Sequence, residues 1–339
     1  MRLLAVALLA LSLGGAAGAV DFQPFTGDIY VVSSTGGARH ALTSASEQEY
    51  QPAVSPNGRR IAYIRGDDAD AQVWLMNADG SGQRQLTRSP GEKARPLWSP
   101  NGRRLVFMVW NRSLCDPLVL WCPFTDVWTV NADGSNERKL FDRALQPAWS
   151  PDGRRLLFQE FRIYAPHVTG SALDVARADG SHVRRLSRQL AEEAQRSPPA
   201  WAPGGKRIVF GTTTPRLEHR ATIARDDGRQ LRRLGSARYP AWAPGGKSVA
   251  LERDSGVWVV PLAGGRAHRL GPSAGFGGSC PTWSPAGKRI AVLTGGILTV
   301  SRSDGRGRKQ LAYATLCTLH LFPSPPGWSP DGRRIYFAG

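Results

Sequence analysis

The apolar residues of this chain fall in short runs, with neither a helical period nor a heptad. The runs at 61–64, 105–109, 156–158 and 208–210 each follow two basic residues and a turn tetrapeptide. In the first copy that tetrapeptide is Ser55, Pro56, Asn57 and Gly58. Short apolar runs bounded by Pro, Gly and Asn are strand signals. The unit starts again from Pro52, Pro96, Pro147, Pro199, Pro240, Pro281 and Pro326, at intervals of 41 to 52 residues. That interval suits one four-stranded propeller blade.

Each unit also has a second half. Residues 72–87 and 126–141 are near-copies, and weaker ones occupy 172–187, 221–235, 256–271 and 296–312. The first second-half, 28–43, has no front half before it, and the last front half, 326–337, has no second half after it. Together these orphans make one more unit. The pattern predicts an all-β, seven-bladed β-propeller with four-stranded blades, the last blade closed by N- and C-terminal strands. Closure leaves no free end to the ring of sheets.

Local chemistry agrees. Proline pre-sets φ in a type I turn, Asn or Asp suits the next position, and Gly supplies the positive φ that closes a bulged hairpin. Trp98, Trp149, Trp201, Trp242, Trp283 and Trp328 stand two residues after the leading proline. A leading proline lacks a ladder donor, which suits an edge strand at the channel.

The first residues are different. Arg2, the apolar stretch 3–13 and the small residues Ala17, Gly18 and Ala19 make 1–19 a signal peptide in expectation, with the propeller at 20–339. The expected location is extracytoplasmic, secreted or periplasmic. In an oxidising compartment the four cysteines allow three pairings. The expected one joins Cys115 with Cys122 and Cys280 with Cys317, closing short and medium loops.

The net charge is +17. It is concentrated in the repeated turns, which all fall on one face, opposite the blade-joining loops. One reading is a basic ring, Arg59, Arg103, Arg154, Arg207, Arg289 and Arg333, that binds an anionic polymer. The favoured reading is that a repeated turn repeats its solubilising charges. No specific nucleic-acid binding is expected, and at most a weak anionic-polymer contact.

The segments 149–158, Trp-Ser-Pro-Asp-Gly-Arg-Arg-Leu-Leu-Phe, and 126–134, Asp-Val-Trp-Thr-Val-Asn-Ala-Asp-Gly, resemble the repeat of TolB-like propellers. The resemblance covers most of the chain. It implies the propeller fold and, in the best-known members, an adaptor that engages an envelope lipoprotein at the mouth of the propeller. The chain departs from that pattern in its seven expected blades, where six are usual. It also leaves little room for an α/β domain before the first strand, so a stand-alone propeller is expected.

Gly-x-Ser-x-Gly occurs once, as Gly-Pro-Ser-Ala-Gly at 271–275, but it ends a repeat's second half and opens no helical pattern, and His-Glu-x-x-His does not occur, so neither a hydrolase nucleophile elbow nor a zincin site is indicated. Asp152 and Asp331 alternate with Asn, Gly and Ala in other copies, which is turn behaviour. His40, His182 and His268 belong to outer hairpins. His167, His219 and His320 lie on the blade-joining face, where the related oligogalacturonate lyases hold a metal with histidines. A metal-assisted lyase or a lactonase-like hydrolase at the channel mouth is therefore the alternative function, although no metal spacing is reproduced. No metal or cofactor is expected.

Departures from the repeat point elsewhere. The insertion 108–125 carries Trp110, Trp121 and Phe124, an apolar density suited to a partner surface or a lid. A second long loop, 159–171, carries Tyr164. The residue before each leading proline should rim the channel, which places Gln51, Arg95, Gln146 and Tyr239 there with Pro198, Cys280 and Pro325. The reading is an exported, non-enzymatic, monomeric binding propeller that engages a protein or cell-envelope component through this face.

Overall fold

The computed structural model describes residues 27–67, 71–110, 124–165, 168–190, 198–213, 219–254, 256–272, 279–314 and 325–339. The chain opens with β1 (Ile29–Ser33) and β2 (His40–Ala41). Blade 1 follows as β3 (Glu49–Val54), β4 (Arg60–Arg65), β5 (Gln72–Asn77) and β6 (Arg84–Gln85). Blade 2 is β7 (Lys93–Trp98), β8 (Arg104–Trp110), β9 (Thr125–Asn131) and β10 (Arg138–Phe141). Blade 3 is β11 (Ala144–Trp149), β12 (Arg155–Ala165), β13 (Val168–Arg177) and β14 (Arg184–Leu190). Blade 4 is β15 (Ala200–Trp201), β16 (Arg207–Thr213), β17 (His219–Arg225) and β18 (Gln230–Ser236). Blade 5 is β19 (Arg238–Trp242), β20 (Ser248–Arg253), β21 (Gly256–Pro261) and β22 (His268–Pro272). Blade 6 is β23 (Ser279–Trp283), β24 (Arg289–Thr294), β25 (Ile297–Arg302) and β26 (Lys309–Tyr313). The chain ends with β27 (Gly327–Trp328) and β28 (Arg334–Ala338).

Each blade is an antiparallel sheet in sequence order, except the last, whose order is β2-β1-β28-β27. β1 pairs with β28 from Ile29 opposite Ala338 to Ser33 opposite Arg334. The expected seven blades and terminal closure are both present.

The second strand of each blade explains the unbroken apolar runs. It is covered on both faces by neighbouring blades, so Ile61, Ala62, Tyr63 and Ile64 are all buried, where a one-faced sheet would alternate. The apolar clusters accordingly lie in the junctions: one takes Ile29 and Tyr336 from blade 7, Ile61 and Leu75 from blade 1, and Trp98 from blade 2.

The tryptophans bolt the junctions together. The indole N–H of Trp98 donates to the carbonyl of Ala53 at 2.9 Å, that of Trp149 to Leu97 at 3.3 Å, and that of Trp201 to Ala148 at 3.2 Å. Trp242 reaches Ala200, Trp283 reaches Ala241 and Trp328 reaches Thr282, at 3.0–3.2 Å. Each bond joins the first strand of one blade to the first strand of the blade before it, so these strands form the inner ring. The seventh junction, between blades 7 and 1, has Val54 where the others have tryptophan. Gly327 is its neighbour, and a Cβ there would sit 3.2 Å from Val54 Cγ2.

The turns form a second ring. All seven turn glycines have φ between 65° and 70°, and the turn proline of each blade packs against the glycine of the next. At the closing junction this contact is tightest: a Cβ on Gly58 would lie 2.7 Å from Pro330 Cδ. The Asp or Asn of the turn is structural. Asn57 Oδ1 accepts from Ser55 Oγ and Arg59 N, and Asp152 Oδ1 accepts from Ser150 Oγ and Arg154 N. These bonds hold the Asp152 and Asp331 carboxyls below their usual range, as befits fixed acceptors.

Candidate functional site

The basic face comes first, because its charge has a use inside the molecule. In each dibasic pair the first residue is exposed and the second, except at Arg334, is drawn into the junction. Arg60, Arg104, Arg155 and Arg207 lie over the rings of Trp98, Trp149, Trp201 and Trp242, at 6.0, 5.3, 4.6 and 5.3 Å. Each also donates to the next blade: Arg60 to Ala132 O, Arg104 to Ala178 O, Arg155 to Asp226 Oδ2 and Arg207 to Gly246 O. Arg289 donates to Ser34 O and Gly332 O. Blade 5 carries Ser248 at this position, and Arg334 of blade 7, whose following blade has Val54 where the others have tryptophan, stays exposed.

An outer ring repeats the device. Arg84 donates to Ala132 O, Arg138 to Asp179 O, Arg184 to Asp227 O, Arg232 to Leu262 O and Lys309 to Thr35 O, while the His268 ring bonds Ser303 O. Each link ties an outer strand to the outer turn of the following blade. The solubilising reading therefore needs correcting for half of each pair, since Arg207 and Arg289 of the proposed ring are engaged internally. Triple reversal of the exposed Arg59, Arg103 and Arg154 to Glu should leave thermal unfolding nearly unchanged. Reversal of Arg60, Arg104 or Arg155 should each cost about 1–3 kcal/mol, the worth of a charged hydrogen bond. Denaturant titration of the four variants checks this.

The opposite face holds the channel mouth. Gln51, Arg95, Gln146 and Tyr239 adopt φ of 55°, 55°, 53° and 49°. Each is the residue before the leading proline, where sterics favour extended backbone. Each also sits at a register break: Tyr50/Ala53, Ala94/Leu97, Leu145/Ala148 and Arg238/Ala241. These are β-bulges that re-aim one side chain per strand, and a left-handed non-glycine residue costs on the order of 1–3 kcal/mol. The other three blades lack the bulge. Pro198 and Pro325 cannot take a positive φ; at Cys280 the ladder with β24 simply runs unbroken, Cys280 opposite Leu293, and nothing in the structure explains why.

The bulges bring polar groups inward. Gln51 and Gln146 are buried, and Gln51 Oε1 accepts the Arg95 backbone N–H at 2.5 Å. Gln146 N–H donates to Met108 Sδ at 3.2 Å. Tyr239 is 8% exposed. Arg95 keeps some surface, yet its Nη1 is covered and has no acceptor, and Gln51 Nε2 is in the same condition. Burial pulls the Arg95 guanidinium down to about 9, so it remains charged at neutral pH. Lys93, on the same strand, is the instructive contrast. Its ammonium donates to the carbonyls of Ser89, Pro90 and Gly91. Glu49 is engaged by Arg65 through Oε1, while its Oε2 is covered and has no donor.

Other sequence-predicted residues divide. Phe124 turns inward, 7% exposed, with its ring edge-on to Phe161 at 4.7 Å, and packs the junction of blades 2 and 3. Trp110 is half-buried against the same cluster. Trp121, Cys115, Cys122, Cys317, His167 and His320 lie outside the described residues, and the side chains of Tyr164 and His219 do too; the expected loop 159–171 is instead the extended, paired ends of β12 and β13, with Gln159 opposite Leu173 and Ala165 opposite Val168. Cys280 is buried and disulfide-bonded, with its partner outside the described residues. Among the described residues no group of three or more His, Cys, Asp or Glu could hold a metal. No helix among them is long and apolar enough to cross a membrane.

Comparison with known proteins agrees on the architecture. The model of the Tricorn protease N-terminal β-propeller domain matches residues 22–170. TolB from Acinetobacter baumannii superposes with a TM-score of 0.54 at 17% identity, over 78% of this chain and 63% of that one. An oligogalacturonate lyase in complex with manganese gives 0.64 at 13% identity, over 91% and 95%. A puromycin-hydrolyzing peptidase from Mycobacterium tuberculosis gives 0.58 at 16%, over 85% and 49%. The chain thus spans less than two thirds of the TolB chain and about half of the peptidase. No curated protein matches it by sequence. The fold is that of TolB-like propellers.

Proposed function

We propose that this protein is an exported binding propeller that engages a protein or cell-envelope component through its blade-joining face and channel mouth. The observation that carries the reading is the set of left-handed bulges at Gln51, Arg95, Gln146 and Tyr239. Backbone strain repeated at one level of the ring and spent on inward polar groups is the mark of a binding site more than of a scaffold. The opposite face, whose arginines are committed to the junctions, has less to offer a partner. Cys115 paired with Cys122 would hold the insertion as a compact knob beside this mouth, and Cys280 paired with Cys317 would brace the loop entering the last blade.

A photo-crosslinking amino acid tests the assignment of faces. Placed at Tyr239, it should trap one discrete species from envelope extract; placed at Arg103, on the turn face, it should trap none. The reverse pattern would refute the reading. The similarity in fold to a manganese-bound lyase favours a second reading, metal-assisted elimination at the mouth. Stoichiometric manganese in the purified protein, lost on His167→Ala or His320→Ala, would establish it; the binding reading predicts none.

A further inference from the structure

The channel mouth presents two buried donors with nothing to donate to. Arg95 Nη1 and Gln51 Nε2 come from adjacent inner strands, β7 and β3, at the same register position. They are tied together by the bond from Arg95 N–H to Gln51 Oε1. Buried donors are almost always paired in folded proteins, and a buried charge is paired more strictly still. The protein supplies such partners readily to other cations: Lys93 has three carbonyls, Arg65 has Glu49, and the turn arginines have the next blade. Arg95 has no ion pair among the described residues. We infer that the channel mouth binds one carboxylate, held by the Arg95 guanidinium and the Gln51 side-chain amide, with the rest of the ligand lying against the apolar side of the rim.

The charge sets the class of ligand. One guanidinium beside a neutral amide neutralises a single negative charge; a phosphate or sulfate dianion would leave an unpaired charge in a desolvated place. A planar carboxylate also matches the planar fork of arginine. The ring divides into sectors. Gln51, Arg95 and Gln146 occupy three consecutive blades, whereas Pro198, Tyr239, Cys280 and Pro325 occupy the other four. A carboxylate on an apolar or aromatic body fits both sectors, and a uronate with a hydroxyl-rich ring fits only one. The carboxylate could belong to a free acid or to a polypeptide side chain.

This inference rests on the proposed binding face, and calorimetric titration of the purified intact protein can separate the two. The probes are benzoate, acetate, galacturonate, acetyl-glutamate amide and inorganic phosphate. Benzoate should bind saturably, at least about tenfold more tightly than galacturonate, with phosphate giving no saturable heat. Acetyl-glutamate amide binding more tightly than acetate would identify a polypeptide as the source, and the reverse order a free acid.

Two variants make the test specific. Arg95→Met should abolish binding and unfold at a higher temperature than the wild type without ligand, because an unpaired charge has gone. Gln51→Glu keeps the acceptor for Arg95 N–H and adds an internal carboxylate. It should abolish binding of added carboxylates at neutral pH while also raising the unfolding temperature. Equal binding by wild type and both variants, tight phosphate binding, or an Arg95→Met protein that is less stable or unfolded would overturn the inference. An envelope partner trapped at Tyr239 by wild type and Arg95→Met alike, with no carboxylate binding, would also overturn it and leave the wider reading standing. Carboxylate binding with no trapped partner would support it and remove the wider one.

Discussion

Removing residues 326–339 should open the ring and abolish cooperative thermal unfolding. These residues supply β27 and β28, the inner half of blade 7. β28 buries Ile335, Tyr336 and Phe337 almost completely, and the Phe337 ring stacks on Tyr30 at 5.9 Å. Burying each of three large side chains is worth about 1.5–3 kcal/mol, so the loss is comparable with the 5–15 kcal/mol that stabilises a typical domain. The same cut removes Trp328 and its bond to blade 6, and Pro330, which packs on Gly58 across the closing junction. That junction lacks the tryptophan and stacked arginine used elsewhere, Val54 and the exposed Arg334 standing in their places, so it rests on the apolar contacts that this cut removes. The truncated protein should be cleaved rapidly within β1 and β2, and a synthetic peptide of residues 326–339 should restore part of the protection. An unchanged unfolding temperature would contradict the closure.

The second large effect is expected at Trp201. Its ring is 7% exposed, its N–H bonds the carbonyl of Ala148, and Arg155 stacks on it at 4.6 Å while reaching Asp226. Trp201→Ala should cost about 3–5 kcal/mol through lost burial together with the cavity it leaves. It also leaves Ala148 O without its donor, at about 1–3 kcal/mol more. Trp201→Phe fills most of the space and forfeits mainly the hydrogen bond, so its cost should be roughly a third as large. Chemical denaturation of both variants separates packing from the bond. Equal losses would mean that the ring of indole bonds contributes nothing.

Blade number, strand order and closure were legible in the sequence because each rests on local chemistry repeated seven times. The turn proline and glycine state their backbone angles outright, and the orphan halves at 28–43 and 326–337 had only each other to pair with. The rim positions of Gln51, Arg95, Gln146 and Tyr239 followed from the same register. Their left-handed backbone was not foreseen, because the preference of a residue before proline is extended and only the surrounding ring overrides it. A hint was present: polar residues stand before proline at an inner strand in some blades, whereas proline itself stands there in others.

The basic face was misread for a different reason. Arg59 and Arg60 look alike in sequence, and only the strand's alternation sends one to water and the other over Trp98. That Arg60 finds a tryptophan and Arg334 finds none depends on which blade follows. The inward turn of Phe124 was missed likewise, because its partner Phe161 belongs to another blade. Contacts across junctions join residues about a blade apart, and local pattern does not report them.

Hydrogen exchange on the protein with the proposed partner bound tests the proposed assignment of faces without any substitution. Protection should appear at the heads of the inner strands, residues 49–52, 93–96, 144–147 and 238–240, where the bulges sit. The turns at 55–59, 99–103 and 150–154 should exchange as they do in the free protein. Protection confined to those turns would place the partner on the basic face and contradict the account.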